Sequence, residues 1–462
     1  MVGPDYITPS IKVPEKWANA SSEPRNIKED VQWWKSYKDP LLTSLVQETL
    51  ESNYDLKGAF AAICAARSSL MGEDAALTPQ INMASSAMMN AISSNQPFVN
   101  FSNTTIKTPF IRFYSLYNTG LTSSWEIDLF GRLRRGVESA SATVESTIDT
   151  MQGTLLSLVA DVALNYITLR SYQQQLDLTQ KLIVSWESML KLNKDLLKAG
   201  LITQIDVENT LASYEQAKAS VPPLKAHIKN TIHQLSILIG KPPAYLYSRL
   251  TPVRPIPEIP VEIFAGLPSE LLKRRPDIRA AERTLAASSA QIGVVEGTLF
   301  PIFSLTGPVS YQSNIFSSLI SPASGMYMFG PTVTAPIVNF GRIRSQIDAA
   351  TALRDENIYK YKSTVLSALA DVENSLVNYA FETKRYHDLK RAAEAVKRAA
   401  DVNTVRFDAG FITFLPVLQA DITYQMAALM MIQSQTTLSL NSVALYKALG
   451  GGWQVDGAAC AP

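Results

Sequence analysis

Residues 130–240 recur at 340–450, displaced by 210 positions without an insertion or a deletion. Phe130-Gly131-Arg132 matches Phe340-Gly341-Arg342, Ala160-Asp161-Val162 matches Ala370-Asp371-Val372, and Ile202-Thr203 matches Ile412-Thr413. A register held over so long a stretch marks a duplicated rigid element, since loops gather insertions. Within each copy apolar residues stand seven apart, from Ile148 through Leu155 and Val162 to Leu197, and from Ile358 through Val365 and Val372 to Phe407. Such heptads need partner helices along the seam. No proline falls between Gly131 and Val221 or between Ile337 and Leu415. A helix from Gly131 to Ala199 would be about 100 Å long at 1.5 Å per residue.

Each long helix ends alike. Ala199-Gly200-Leu201 and Ala409-Gly410-Phe411 offer glycine for a left-handed C′ position, and Thr203 and Thr413 offer an N-cap for a returning helix. Asp206 suits the first turn of that helix in the first copy, and Pro222-Pro223 must kink or restart it. A second duplication carries Asp55–Pro79 onto Asp277–Pro301 at a displacement of 222. The chain is therefore two repeats. An extended arm, 1–40, precedes 41–240, which holds a helix to about Ala76, strands at about 80–92 and 112–129, and a helical hairpin over 131–240. A proline-rich connector, 241–267, leads to 268–450, with strands at about 300–313 and 326–338 and a hairpin over 341–449; a tail, 451–462, follows.

In the strand regions the period falls to two. From Phe113 to Leu129 the odd positions are largely apolar or aromatic and the even ones mostly polar. Pro308 and Pro331 oppose continuous strands there. No apolar run reaches the roughly 18 residues of a spanning helix, so any insertion into a membrane is by strands. Four strands per chain cannot close a barrel, since small barrels use about eight. Open edges in lipid cost several kcal/mol per unpaired group, so the sheet must be closed by oligomerisation. Eight, twelve or sixteen strands remain open on this ground.

Net charge is +1, which gives no support for nucleic acid. Cys64 and Cys460 are too few for a disulfide framework. His227, His233 and His387 match no metal motif, and no phosphate loop or nucleophile elbow is present, so no enzyme, cofactor or metal is expected. The methionine pairs Met88-Met89 and Met430-Met431 suit gap filling better than a soft-metal relay.

The stretch Leu267-Pro268-Ser269-Glu270-Leu271-Leu272-Lys273-Arg274-Arg275-Pro276-Asp277-Ile278-Arg279-Ala280-Ala281-Glu282 resembles the signature of the TolC-like outer-membrane efflux channels, in the OprM-like lipoprotein branch. Gly330-Pro331, Pro336-Ile337, Phe340-Gly341-Arg342, Val2-Gly3-Pro4-Asp5-Tyr6 and Trp33-Trp34 resemble the same family, and the likeness runs from Val2 to about Trp453. It implies an α+β membrane protein that forms a homotrimer: a twelve-stranded outer-membrane β-barrel, four strands per chain, continuous with a long periplasmic helical barrel. It implies an exit duct for drugs or other small solutes in a tripartite efflux pump, with a periplasmic adaptor and an inner-membrane transporter of RND type as partners. A metal-cation efflux or type I protein secretion channel is the alternative. A lipid anchor is expected on a cysteine ahead of Val2 that this chain lacks.

By position, Ala199, Gly200, Leu201, Ala409, Gly410 and Phe411 resemble the adaptor-docking tips, and a cap-only role coexists with that reading. Relatives carry two acids past the second tip; here those positions are Pro416 and Gln419, with Asp421 beyond and Asp206 in the first copy. Closure of the periplasmic constriction is accordingly expected from apolar Ile412, Phe414 and Leu415 more than from a carboxylate ring. Glu126 and Asp128 are candidates for a lumenal acidic ring, or solvated strand ends. Arg132, Arg134, Arg342 and Arg344 crowd helix starts against the dipole and face lipid headgroups or water.

Overall fold

The structure is a computed structural model that describes residues 1–18, 32–91, 93, 113–258 and 268–451. The remainder of the arm, the end of the connector with Leu267, strand-end residues 92 and 112, and the tail with Trp453 and Cys460 lie outside the described residues. The chain divides into two units: one of Met1–Pro9, Ala65–Glu145 and Glu282–Tyr359, the other of Ser10–Cys64, Ser146–Ala281 and Lys360–Pro462.

The element order follows the repeat. The first copy runs α1 (Pro40–Ser52), α2 (Tyr54–Ala76), β1 (Gln80–Ala91), β2 (Phe113–Ile127), α3 (Arg132–Lys198), α4 (Gln204–Ala219) and α5 (Val221–Leu238). After the short α6 (Tyr247–Leu250), the second runs α7 (Pro268–Arg274), α8 (Pro276–Gly297), β3 (Ile302–Ser313), β4 (Gly325–Tyr327), β5 (Gly330–Thr334), α9 (Arg342–Asp408) and α10 (Phe414–Ala448). The helices α3 and α9 are 67 residues each, as the proline-free stretches require.

Two expected elements are interrupted. The helix foreseen from Asp39 to Ala76 breaks at Asn53, which is extended; its side-chain amide donates to the Leu238 carbonyl at 2.8 Å and its Oδ1 accepts from the Leu56 N–H at 2.9 Å, so it caps α2. The strand foreseen over 326–338 is split into β4 and β5, leaving Met328 and Phe329 between them. Met328 donates to the Pro308 carbonyl at 3.1 Å, but proline has no N–H to return, and the ladder fails there.

In the first unit the strands form one antiparallel sheet in the order β1-β2-β3-β4, with β5 also on β3. Alternation makes one face largely apolar or aromatic and the other mostly polar. Met83, Leu121, Val309 and Tyr327 form one row across the sheet, and Trp125, Leu305 and Pro331 form another on the same face. Rows such as Ser86, Asn118 and Gln312 line the opposite face, where Glu126 is the strands' only charged residue. The outer edges, those of β1 and β4/β5, have no strand partner among the described residues.

The second unit is helical and holds the principal core. Trp33, Tyr37, Leu42 and Leu45 pack with Val159, Tyr166, Leu235 and Val443. Trp33 stacks on Tyr446 with centroids 5.2 Å apart, and Tyr37 hydrogen-bonds Ser442 at 2.5 Å. The arginine-proline stretch has a structural task here: Arg275 donates to the Ala448 carbonyl at 3.2 Å, at the end of α10, and pairs with Asp277 at 2.7 Å and Asp371 at 3.1 Å. It thereby supplies a cation to a helix C-terminus. Contrary to the sequence expectation, α10 is by length and composition apolar enough to cross a membrane. The helix buries Gln425 and, further along, Ser434, Ser439 and Ser442 among its apolar residues.

Candidate functional site: hairpin tips and strand-to-helix turns

The two hairpin tips close by the same backbone device. Gly200 has φ +74°, its N–H reaches the Leu197 carbonyl at 2.9 Å, and the Leu201 N–H reaches Leu196 at 3.0 Å. Gly410 repeats this at φ +74°, with Gly410 to Phe407 and Phe411 to Arg406 both 2.8 Å. These are Schellman closures, which a side chain at the glycine would strain. The turns leave Leu201 71% and Phe411 77% exposed, so both tips present an apolar side chain to solvent.

Past the turns the copies diverge. In the first, the Thr203 N–H and hydroxyl both donate to the Asp206 carboxylate, at 2.9 and 2.7 Å. The hydroxyl and N–H of Thr203 together hold the Asp206 carboxyl below its ordinary range. In the second, Pro416 stands at the corresponding position, and Phe414 instead packs on Phe407 with centroids 5.1 Å apart. Ile412 and Leu415 are half-buried and Gln419 is exposed. Asparagines at equivalent places, unnoticed in the sequence, brace both hairpins: Asn193 donates to Thr210 Oγ1 at 2.8 Å and Asn403 to the Pro416 carbonyl at 3.5 Å.

Asp421 is hydrogen-bonded on two sides. Its carboxylate accepts from Ser185 and, at 2.8 Å, from the Gln425 amide, which also donates to Ser185 at 3.0 Å; this ties α10 to α3. Beside the tie, Leu182, Met189, Leu418 and Ile422 form an apolar cluster. A cleft of about 600 Å³ opens between the two hairpins, reaching from Trp186 to Asp206 and Gln419.

At the first strand-to-helix turn the acids and arginines foreseen separately meet. Arg132 donates to Glu126 at 2.7 Å, and Arg134 to Asp128 at 3.3 Å. Asp128 also accepts from the N–H groups of Gly131 at 2.9 Å and Arg134 at 3.0 Å, so it caps α3. Burial pushes the Asp128 carboxyl up, but the bonds from Arg134 and Gly131 outweigh it and hold the group below its ordinary range. Both acids are therefore paired with arginines, and the arginines' conflict with the helix dipole is offset by the carboxylates.

Sequence reasoning missed Arg135. It is 2% exposed and gathers the arm, donating to the Val2 carbonyl at 3.0 Å, the Gly3 carbonyl at 3.2 Å, Asp5 at 2.6 Å and Glu138 at 2.7 Å. The available signal was an arginine with no counterpart in the second copy, where Ser345 stands. Glu282 at the end of the signature stretch receives the hydroxyls of Tyr6 at 3.2 Å and Thr8 at 3.0 Å.

The family model described as "Outer membrane efflux protein" matches residues 45–241 and 267–451. Nodulation protein T of Rhizobium leguminosarum bv. trifolii is 29% identical over 91% of this chain and 87% of its own length. The toluene efflux pump outer membrane protein TtgF of Pseudomonas putida is 28% identical over 97% of this chain and 93% of its own. The solved structure of the outer-membrane channel OprN superposes with a TM-score of 0.86 at 33% identity, covering 98% of this chain and 99% of that one. With two duplicated segments, an amphipathic sheet with open edges and two long helical hairpins, this chain belongs to the outer membrane efflux protein family.

Proposed function

We infer that the chain works as a trimer, with three sheets closing a twelve-stranded barrel in the outer membrane and the helical hairpins forming a periplasmic duct. The observation that carries this reading is the sheet. It has one apolar and one polar face and two open edges, an arrangement stable in lipid only when the edges are paired. Drugs and other small solutes pass outward through it passively, delivered by an inner-membrane transporter, of RND type, through a periplasmic adaptor. The exposed turns at Leu201 and Phe411 support the tips as the adaptor's docking points. A lipid attached ahead of Val2 would hang beside the strand-to-helix turn, because the arm is held there by Arg135.

Deleting the gene should sensitise cells to hydrophobic antibiotics and detergents, with reversal by the intact gene. Sensitivity to metal salts alone would move the cargo to cations, and no change in either would favour secretion. Purified trimer in planar bilayers should conduct, and Ile412→Ala should raise conductance more than Asp421→Ala, because Asp421 is occupied by Ser185 and Gln425. An equal rise would sink the apolar gate.

A further inference from the structure

A cleft of about 520 Å³ runs along α3 just past the first strand-to-helix turn, with the arm and α8 as its other walls. Its side on α3 carries Arg134, Val137, Glu138, Ser141 and Glu145, spaced so that they share one helix face. The arm is fixed there: the Val2 N–H donates to the Phe130 carbonyl at 3.0 Å, and a Cβ added at Gly131 would meet Met1. The second copy keeps the charges, as Arg344 and Asp348, but nothing lies within 4 Å of a Cβ added at its Gly341. The arm is what distinguishes the first copy.

Two arginines and two glutamates line the cleft, so it has no net charge with which to favour a simple anion or cation. Their pairing is uneven. Arg283 is held by Glu145 at 3.1 Å and Glu282 at 2.9 Å, which satisfies the end away from the turn. Arg134 and Glu138 stand four residues apart on one helix face, yet they do not pair with each other. Arg134 turns to Asp128, by Nε to the carboxylate at 3.3 Å and by Nη2 to the carbonyl at 3.0 Å, and Glu138 gives one oxygen to Arg135 at 2.7 Å. Their side chains stay 50% and 39% exposed, with Arg134 Nη1 and Glu138 Oε1 still able to bond a ligand.

A cation nearer the sheet and an anion one turn farther along α3, a rise of about 6 Å, fit a zwitterion whose phosphate precedes its ammonium. We propose that this cleft binds the headgroup of a phosphatidylethanolamine-class lipid, with its phosphate on Arg134 and its ammonium on Glu138. The glycerol then lies against Met1 and Val137, and the acyl chains enter the bilayer beside the apolar face of the sheet. The primary ammonium is the discriminating group. It donates hydrogen bonds to a carboxylate, whereas a glycerol headgroup brings no positive charge there and a choline headgroup no donor. This rests on the membrane placement proposed above, since α3 leaves the sheet at this turn.

Native mass spectrometry of the full-length protein, released from micelles carrying equal amounts of phosphatidylethanolamine, phosphatidylglycerol and phosphatidylcholine, tests the site. Wild type should retain phosphatidylethanolamine on each chain in preference to the other two. Arg134→Gln should cut retention about tenfold, the scale of one charge-assisted hydrogen bond. Ser141→Trp, which fills the cleft and leaves both charges in place, should do the same. Glu138→Gln should keep the total lipid retained and move the preference toward phosphatidylglycerol by about tenfold. Arg344→Gln, the equivalent change in the second copy, should alter neither. Equal retention of all three lipids, or an equal loss in Arg344→Gln, would mark general charge attraction and overturn the proposal. Displacement of the lipid by inorganic phosphate alone would reduce the cleft to an anion site and overturn the ammonium assignment. A trimeric mass without retained lipid would overturn the site and leave the membrane placement standing, whereas a monomeric mass from protein that needs no detergent would overturn that placement itself.

Discussion

The two strand-to-helix turns start from the same Phe-Gly-Arg sequence and end in opposite situations. At the first, Phe130 has Phe300 beneath it, Glu126 and Asp128 hold Arg132 and Arg134, and the N-terminal arm lies against Gly131, where an added Cβ would meet Met1 at 2.6 Å. At the second, Pro336 and Val338 stand where the acids were, Phe340 is bare, and Gly341 has open space around it. The scaffold is duplicated, and its side chains differ with what each turn meets within the chain: a packed, ion-paired setting at the first and open space at the second.

The largest effect expected from breaking this contrast is at the phenylalanines. Phe130→Ala should cost about 2–4 kcal/mol of the fold of each chain, read as a lower thermal midpoint in detergent. Phe340→Ala should leave the isolated chain's midpoint unchanged and lower the trimer fraction in a mass measurement. Equal losses of chain stability would remove the distinction between the turns.

A smaller effect is expected at Asp128, whose side chain is 7% exposed. Asp128→Asn should cost about 1 kcal/mol at neutral pH, typical of a lost cap. Because the folded carboxyl sits below its ordinary value, its contribution is complete above about pH 4 and fades as pH falls through the depressed value. The difference between wild type and variant in thermal midpoint should shrink in that acid range; a gap that widened there would contradict the cap. Smallest of all, Asp206→Ala should let the first turn of α4 fray, seen as faster amide exchange at Val207 and its neighbours. The equivalent change Pro416→Ala should not speed exchange in α10, whose first turn has no such carboxylate.

Much of this architecture was legible because it is repetitive. Proline-free heptads foretold α3 and α9 to within a residue or two of Gly131–Ala199 and its copy, and glycine followed by threonine foretold both tips. What escaped reading depends on partners distant in sequence. Asn53 looks like an ordinary polar residue until the Leu238 carbonyl, 185 positions away, takes its amide. Pro308 was a warning, yet which residue would lose its bond depended on the register that set Met328 opposite it. Glu126 and Arg132 are six positions apart, with no helical spacing to announce the pair, and Arg135 finds its acceptors in the arm across 130 residues or more. Asp421 could be read as the nearest acid beyond the second tip, but what it binds is decided by Ser185, on another helix.

The apolar length of α10 bears on how the protein reaches its place. A polypeptide bound for the outer membrane must first be threaded across the inner one, and a leucine-rich stretch of this size is the kind that lateral partitioning into lipid would arrest. Gln425, Ser434, Ser439 and Ser442 are buried in the finished helix, but in the unfolded chain in transit each makes residence in hydrocarbon less favourable. The same side chains thus count twice: against residence in hydrocarbon while the chain is unfolded, and toward packing once the helix is buried.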